Sequence, residues 1–217
     1  MKWNTVFIEG TGAPLGPFDL RGQMAIICKD RRLQMKQIIT GQVLLILCCA
    51  VYLVWWYRGF RPGIHVSRVG GVNGALLLVT AVLGFAGMIF SLMPVEEIRK
   101  PLISQGMIVI FGIAAYLVLL FVTKRLFDRI VTTELFLIVG WTMLEIIAAD
   151  RLYAVGALGG DGIIVITVII AAAFLIGIVM YVAYYRMEEM RAFYAAMVPL
   201  IVDAVAMAAM IGIVLSN

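Results

Sequence analysis

The sequence is short of charge, nearly empty of histidine, and has no polar stretch long enough to fold alone. Lys, Arg, Asp and Glu make up 14% of its 217 residues, where soluble domains carry about 25%. One histidine, His65, stands alone among three cysteines, Cys28, Cys48 and Cys49, two of them adjacent. That excludes a disulfide framework, a multi-histidine zinc site and a haem held by paired histidines. No cofactor or resident metal is expected, and no nucleic-acid partner. Hydrolytic chemistry needs His, Cys or Lys side chains gathered near a nucleophile, and His65 beside Ser67 is a poor pair. The clustered aspartates of a CDP-alcohol transferase or a di-metal carboxylate enzyme are also missing. No catalytic residue is assigned.

What is present is apolar length. Hydrophobic residues make up 64% of the chain, in runs of about 20 residues, the length that crosses roughly 30 Å of hydrocarbon at 1.5 Å per residue. The runs predict spans at 37–57, 70–93, 102–123, 130–149, 162–184 and 192–216. The fold class is therefore an all-α membrane protein, a six-helix transmembrane bundle, in contact with the lipid bilayer. The connecting loops are short, so the domains are an N-terminal tail, 1–36, and a six-span transmembrane domain, 37–217. The tail reads as a loop or an interfacial helix. Charges from Asp19 to Arg32 interrupt it, and its one apolar run, Met24 to Cys28, is too short for a signal peptide.

Orientation is nearly balanced. With the N-terminus cytoplasmic, nine basic residues fall on that side (Lys2, Arg21, Lys29, Arg31, Arg32, Lys36, Arg99, Lys100, Arg151) and eight on the other. The cluster ahead of span one favours a cytoplasmic N-terminus. The expected location is the plasma membrane of a prokaryote. The chain also repeats weakly. A shift of 64 residues lays Lys36 on Lys100, Ile39 on Ile103, Ile46 on Ile110, Ala50 on Ala114, Tyr52-Leu53-Val54 on Tyr116-Leu117-Val118, and Arg61 on Arg125. Two readings stay open: shared composition, or three copies of one helical hairpin, an arrangement akin to the repeats of transporters.

Ionisable side chains inside the bilayer cost about 2.5–3.5 kcal/mol on insertion scales and mark function. Asp203 lies mid-way along span six, one turn beyond Pro199, which frees the carbonyl of Ala195. Ala196, Ala204, Ala208 and Gly212 nearby suggest close helix approach. In span four Glu134, Trp141 and Glu145 are spaced seven and four apart and share a face. No Lys or Arg occupies any span centre. If Glu145 and Asp203 face each other, both cannot carry charge unless a cation or water compensates them. An ion or substrate path through Asp203, Glu145, Glu134 and Pro199 is the expectation. Loops after odd spans pair basic residues with apolar ones: Arg58 and Arg61 with Phe60, Arg125 and Arg129 with Phe127, Arg186 and Arg191 with Met187 and Met190. These arginines are candidates for anion or lipid-headgroup contacts, or for plain interfacial anchoring beside a belt of Trp55, Trp56, Tyr57, Tyr184 and Tyr185. Gly70/Gly74 and Gly87/Ser91 are candidate packing faces, with Asn73 bonding across one of them.

The segment Arg125-Leu126-Phe127-Asp128-Arg129-Ile130-Val131-Thr132-Thr133 resembles the third-helix segment of microbial rhodopsins, and Asp203 stands where their last helix carries an aspartate. The resemblance implies a retinal-binding lysine four residues further on, and that position is Met207. All five lysines lie outside the spans or at their ends, and the helix count is one short. A retinal pigment is excluded.

Two function classes lead. One is a small transporter or channel for an ion, proton or small solute, working through the intramembrane carboxylates. The other is a non-catalytic subunit or scaffold that packs against a membrane partner protein or forms a homo-oligomer. A lipid-modifying enzyme using the arginine-rich loops is a third, weaker reading.

Overall fold

With no water in the hydrocarbon, backbone N–H and C=O groups must bond to each other, and apolar runs of this length do so as helices. The computed structural model describes residues 20–62, 70–93, 99–127 and 133–216; the side chains of 20–30, 127, 133 and 134 lie outside that description. The helices are α1 (Leu20–Phe60), α2 (Gly71–Leu92), α3 (Gln105–Phe127), α4 (Thr133–Ala154), α5 (Gly160–Tyr184), α6 (Glu189–Ala195) and α7 (Val198–Ser216). The α6–α7 pair is one broken span, so the architecture is the expected six-helix bundle.

Five spans are long and apolar enough to cross a membrane: Arg31–Phe60 of α1, then α2, then Gln105–Leu126 of α3, α5, and Glu189–Ser216 across α6–α7. Helix α4 has 22 residues, as many as α2. It differs in carrying Glu145, Asp150 and Arg151 along its length. It is also the helix with the most neighbours, touching α1, α2, α3, α5 and α7. Large side chains elsewhere face outward, including Ile110, Phe111, Val118 and Phe121 on α3, as lipid contact requires.

Several boundaries differ from the sequence reading. Helix α1 begins at Leu20 and passes residue 36 without a break. Helix α4 does not stop at 149. Asp150 and Arg151 stay helical because each finds a partner. The Leu102 N–H donates to Asp150 Oδ1 at 2.7 Å. The Arg151 guanidinium donates to the carbonyls of Ser91, at 2.9 Å, and Met93, so it caps the C-terminus of α2. The stop comes at Gly156, whose φ of +74° is the left-handed conformation. Ala157 N–H bonds to Leu152 O and Gly156 N–H to Tyr153 O, both at 2.9 Å, the Schellman pattern. At the other end of the bundle Lys124 and Arg125, read as loop, sit in the last turn of α3.

The expected Gly87/Ser91 face is a real contact. A Cβ on Gly87 would lie 2.8 Å from Leu45 Cγ, and one on Gly41 would lie 2.8 Å from the Ser91 backbone nitrogen. Gln42 Nε2 donates to Ser91 Oγ at 3.1 Å beside them. Asn73 also bonds across the α1–α2 contact, accepting from Arg58 Nε at 3.3 Å. The small-residue face expected on span six is different. Ala208 and Gly212 are exposed, and the buried face is Asp203, Ala206, Met207, Met210 and Val214. At 100° per residue, Ala208 and Gly212 lie roughly 140° and 180° around the helix from Asp203, so they cannot share its packing face.

Consecutive helices pair as hairpins, α1 with α2, α3 with α4, and α5 with α6–α7. The two best-matched repeat segments nevertheless occupy different places. Helix α1 packs on α2, α4 and α7, whereas α3 packs chiefly on α4.

Gly41→Ala is expected to cost about 1–3 kcal/mol, because the new methyl meets the backbone of Ser91 and Gly87 as well as the Ser91 hydroxyl. Gly212→Ala, with nothing within 4 Å, is expected to leave stability unchanged or slightly raised. Thermal unfolding of both variants in the same detergent checks the contrast.

Candidate functional site

Glu145 lies twelve residues into α4, about 18 Å from its start. Asp203 lies fourteen residues into the Glu189–Ser216 span. Both are therefore at mid-depth, and both are buried, with 1% and 7% of their surface exposed. They are electrostatic neighbours, and the Cys49 thiol feels both. Neither Glu145 carboxyl oxygen has a hydrogen-bond partner among the described residues. Helices α4 and α7, which carry the two carboxyls, are in contact.

Local chain chemistry puts Asp203 there. Residues 196–197 interrupt the span as a turn, with Met197 N–H bonded to Tyr194 O at 3.1 Å, and α7 restarts at Val198. Pro199 sits in the first turn of α7, where its missing N–H costs nothing. Four residues on, Asp203 shares its face. Leu200 and Ala204 then pack against Leu45, Cys49 and Met207, fixing the rotation of α7.

Above Asp203 is a cavity of about 380 Å³ between α1, α2, α4, α5 and α6–α7. Its lining runs from Trp56 and Tyr184, near the ends of α1 and α5, to Cys48, Cys49, Met88, Pro199 and Asp203. Phe85 and Leu137 also line it and are 64% and 48% exposed, so it borders the lipid-facing surface between α2 and α4. Trp56 and Trp141 line it as well, and their indole N–H groups are buried without a hydrogen-bond partner. The Trp56 ring is held by stacking on Phe60, with centroids 4.2 Å apart.

The opposite end of the bundle has an apolar centre. Ile38, Leu152, Val155, Leu158, Ile166 and Met210 belong to one buried cluster from α1, α4, α5 and α7. Its rim is tied by Arg99, whose backbone N–H donates to Ala154 O at 2.9 Å and whose guanidinium donates to Leu158 O at 3.1 Å.

The remaining sequence candidates are placed unevenly. Glu134 falls in the first turn of α4, and its side chain lies outside the described residues, as do Arg129 and His65. Arg58 is engaged with Asn73. Arg61 donates to Tyr57 Oη at 2.9 Å and lies over the same ring. Arg125 lies over Phe121, and Arg186 is exposed. Trp56 and Tyr184, read as interfacial belt, also line the cavity. Cys48, Tyr52 and Trp56 were the missed signal: spaced four apart, they share a face of α1.

No protein-family model, curated protein or solved structure matches this chain.

A buried carboxyl without a partner is a cost to folding. Glu145→Met is therefore expected to stabilise the protein by about 1–3 kcal/mol, read as a higher unfolding temperature in detergent. A lower one would mean that the carboxyl supports the fold.

Proposed function

We propose that this protein is a small transporter of the prokaryotic plasma membrane, with a cytoplasmic N-terminus, that moves a cation in exchange for protons through Glu145 and Asp203. The observation carrying this reading is the pair itself: two mid-depth carboxyls with no basic partner among the described residues, one of them on a cavity wall. A lone carboxylate in hydrocarbon needs a counter-charge. Holding either protons or a cation keeps the pair near neutral, and exchanging one for the other is a transport step. Mutual repulsion between the two carboxyls favours release of one occupant only as the other arrives.

Two further features support it. One cavity reaches Asp203 from the end of the bundle that carries Trp56 and Tyr184, a route to that carboxyl. The broken α6–α7 span places a turn and Pro199 beside Asp203, where backbone dihedrals can change without unfolding a helix.

The subunit reading draws on a second cleft of about 400 Å³ between α3, α4 and α5, walled by Phe111, Gly112, Met143 and Phe174 among others. Its apolar lining suits a partner helix. Stoichiometric recovery of one membrane partner from mild detergent would favour it.

The transporter reading is tested in proteoliposomes loaded with a pH-sensitive dye under an imposed pH gradient. Adding Na⁺, K⁺ or organic ammonium ions outside is expected to move protons in the wild type. Glu145→Gln and Asp203→Asn, each eluting as a monodisperse peak, are expected to lower that rate at least tenfold. No cation-dependent proton movement in the wild type, or full rates in both variants, sinks the reading.

A further inference from the structure

The chemistry of the cavity wall narrows the cargo, and the narrowing rests on the transporter reading above. A small hard cation such as Na⁺ binds through several oxygen atoms that replace its water shell. The cavity supplies few that carry charge. Among the described residues Asp203 is the one carboxylate on its wall, and the other side-chain oxygens there are the neutral hydroxyls of Thr80, Tyr52, Tyr181 and Tyr184. Most of the remaining wall is hydrocarbon and aromatic ring: Tyr52, Trp56, Phe85, Trp141, Tyr181 and Tyr184. Among the described residues no Lys or Arg lines the cavity. Aromatic rings attract charge-diffuse cations that shed water cheaply, and a cavity of about 380 Å³ lies in the size range of drug-like ligands. The cavity also borders the lipid-facing surface at Phe85 and Leu137. Lipophilic cations concentrate in the membrane, so a side entrance there meets them where they are.

We infer that the cavity is a binding site for lipophilic organic monocations, of the quaternary ammonium or phosphonium class, with Asp203 as counter-ion and the aromatic walls as the cage. Glu145, buried and off the cavity wall, sets the charge of the pair without touching the ligand. Trp141 connects the two: it lines the cavity and lies one helical turn before Glu145 on α4.

The test uses the full chain in lipid nanodiscs and radiolabelled tetraphenylphosphonium as the probe. Saturable binding at one site per chain is expected, competed by unlabelled probe and not by triphenylphosphine oxide, a neutral compound with similar rings. That comparison needs no variant, so it holds even if a substituted chain misfolds. Asp203→Asn is expected to weaken binding at least tenfold, and Trp141→Leu several-fold. Equal competition by the neutral compound would overturn the inference, because the cavity would then select for grease and not for charge. So would non-saturable uptake, or unchanged affinity in a folded Asp203→Asn variant. The two readings also fail separately. Tetraphenylphosphonium binding without any cation-coupled proton movement would keep the site and remove transport. Proton movement coupled to Na⁺ or K⁺ in protein that does not bind the probe would keep transport and remove the organic-cation site.

Discussion

Helix α4 is the element the bilayer would accept least readily alone, and the rest of the bundle is arranged around that fact. Glu145 in its middle and Asp150 and Arg151 near its end have to be kept from lipid. Each neighbouring helix covers part of it. The two ends of the problem are solved differently. Asp150 and Arg151 become useful, one accepting the Leu102 N–H and the other closing the carbonyl end of α2. Glu145 is given no such partner. A fold optimised for stability alone would place Leu or Met there, and this carboxyl stands about one and a half turns from the Asp150–Arg151 pair.

That division continues through the whole bundle. On the side of Arg99 and Arg151, buried apolar side chains form one cluster, flanked by the cleft between α3, α4 and α5. On the other side α1, α2, α4, α5 and α6–α7 surround the cavity, and the α6–α7 break falls there. Both ends of the bundle therefore hold open space, and of these only the cavity between α1, α2, α4, α5 and α6–α7 has Asp203 on its wall.

Much of this was legible in the sequence, for a physical reason. Hydrocarbon permits so few backbone solutions that hydropathy alone fixes helix number and most boundaries. Rare polar residues stand out against it, which is why Glu145, Asp203 and Pro199 could be picked without coordinates. What could not be read was lateral position. Whether α1 or α3 is central depends on which faces find close partners, and both are apolar all round. Small residues misled for the same reason: Gly41 and Gly87 admit a neighbouring backbone, while Gly212 faces outward. Charges misled where they are satisfied, since Asp150 and Arg151 look like loop until their partners are known. Trp56 looked like an interfacial anchor because its place in the chain, near a helix end, is the same in either role.

Helix α1 has one more consequence. At 41 residues it is about 60 Å long, roughly twice the hydrocarbon thickness. Its C-terminal half carries Cys48, Cys49, Tyr52 and Trp56 on the cavity wall, and its N-terminal portion runs unbroken beyond the first span. A rigid rod anchored at one end in the cavity works as an oar: a 10° change of tilt moves a point 25 Å further along it by about 4 Å. Any rocking that opens or closes the cavity would therefore be felt, enlarged, at the membrane surface, and a grip on that outer end would in turn steer the cavity.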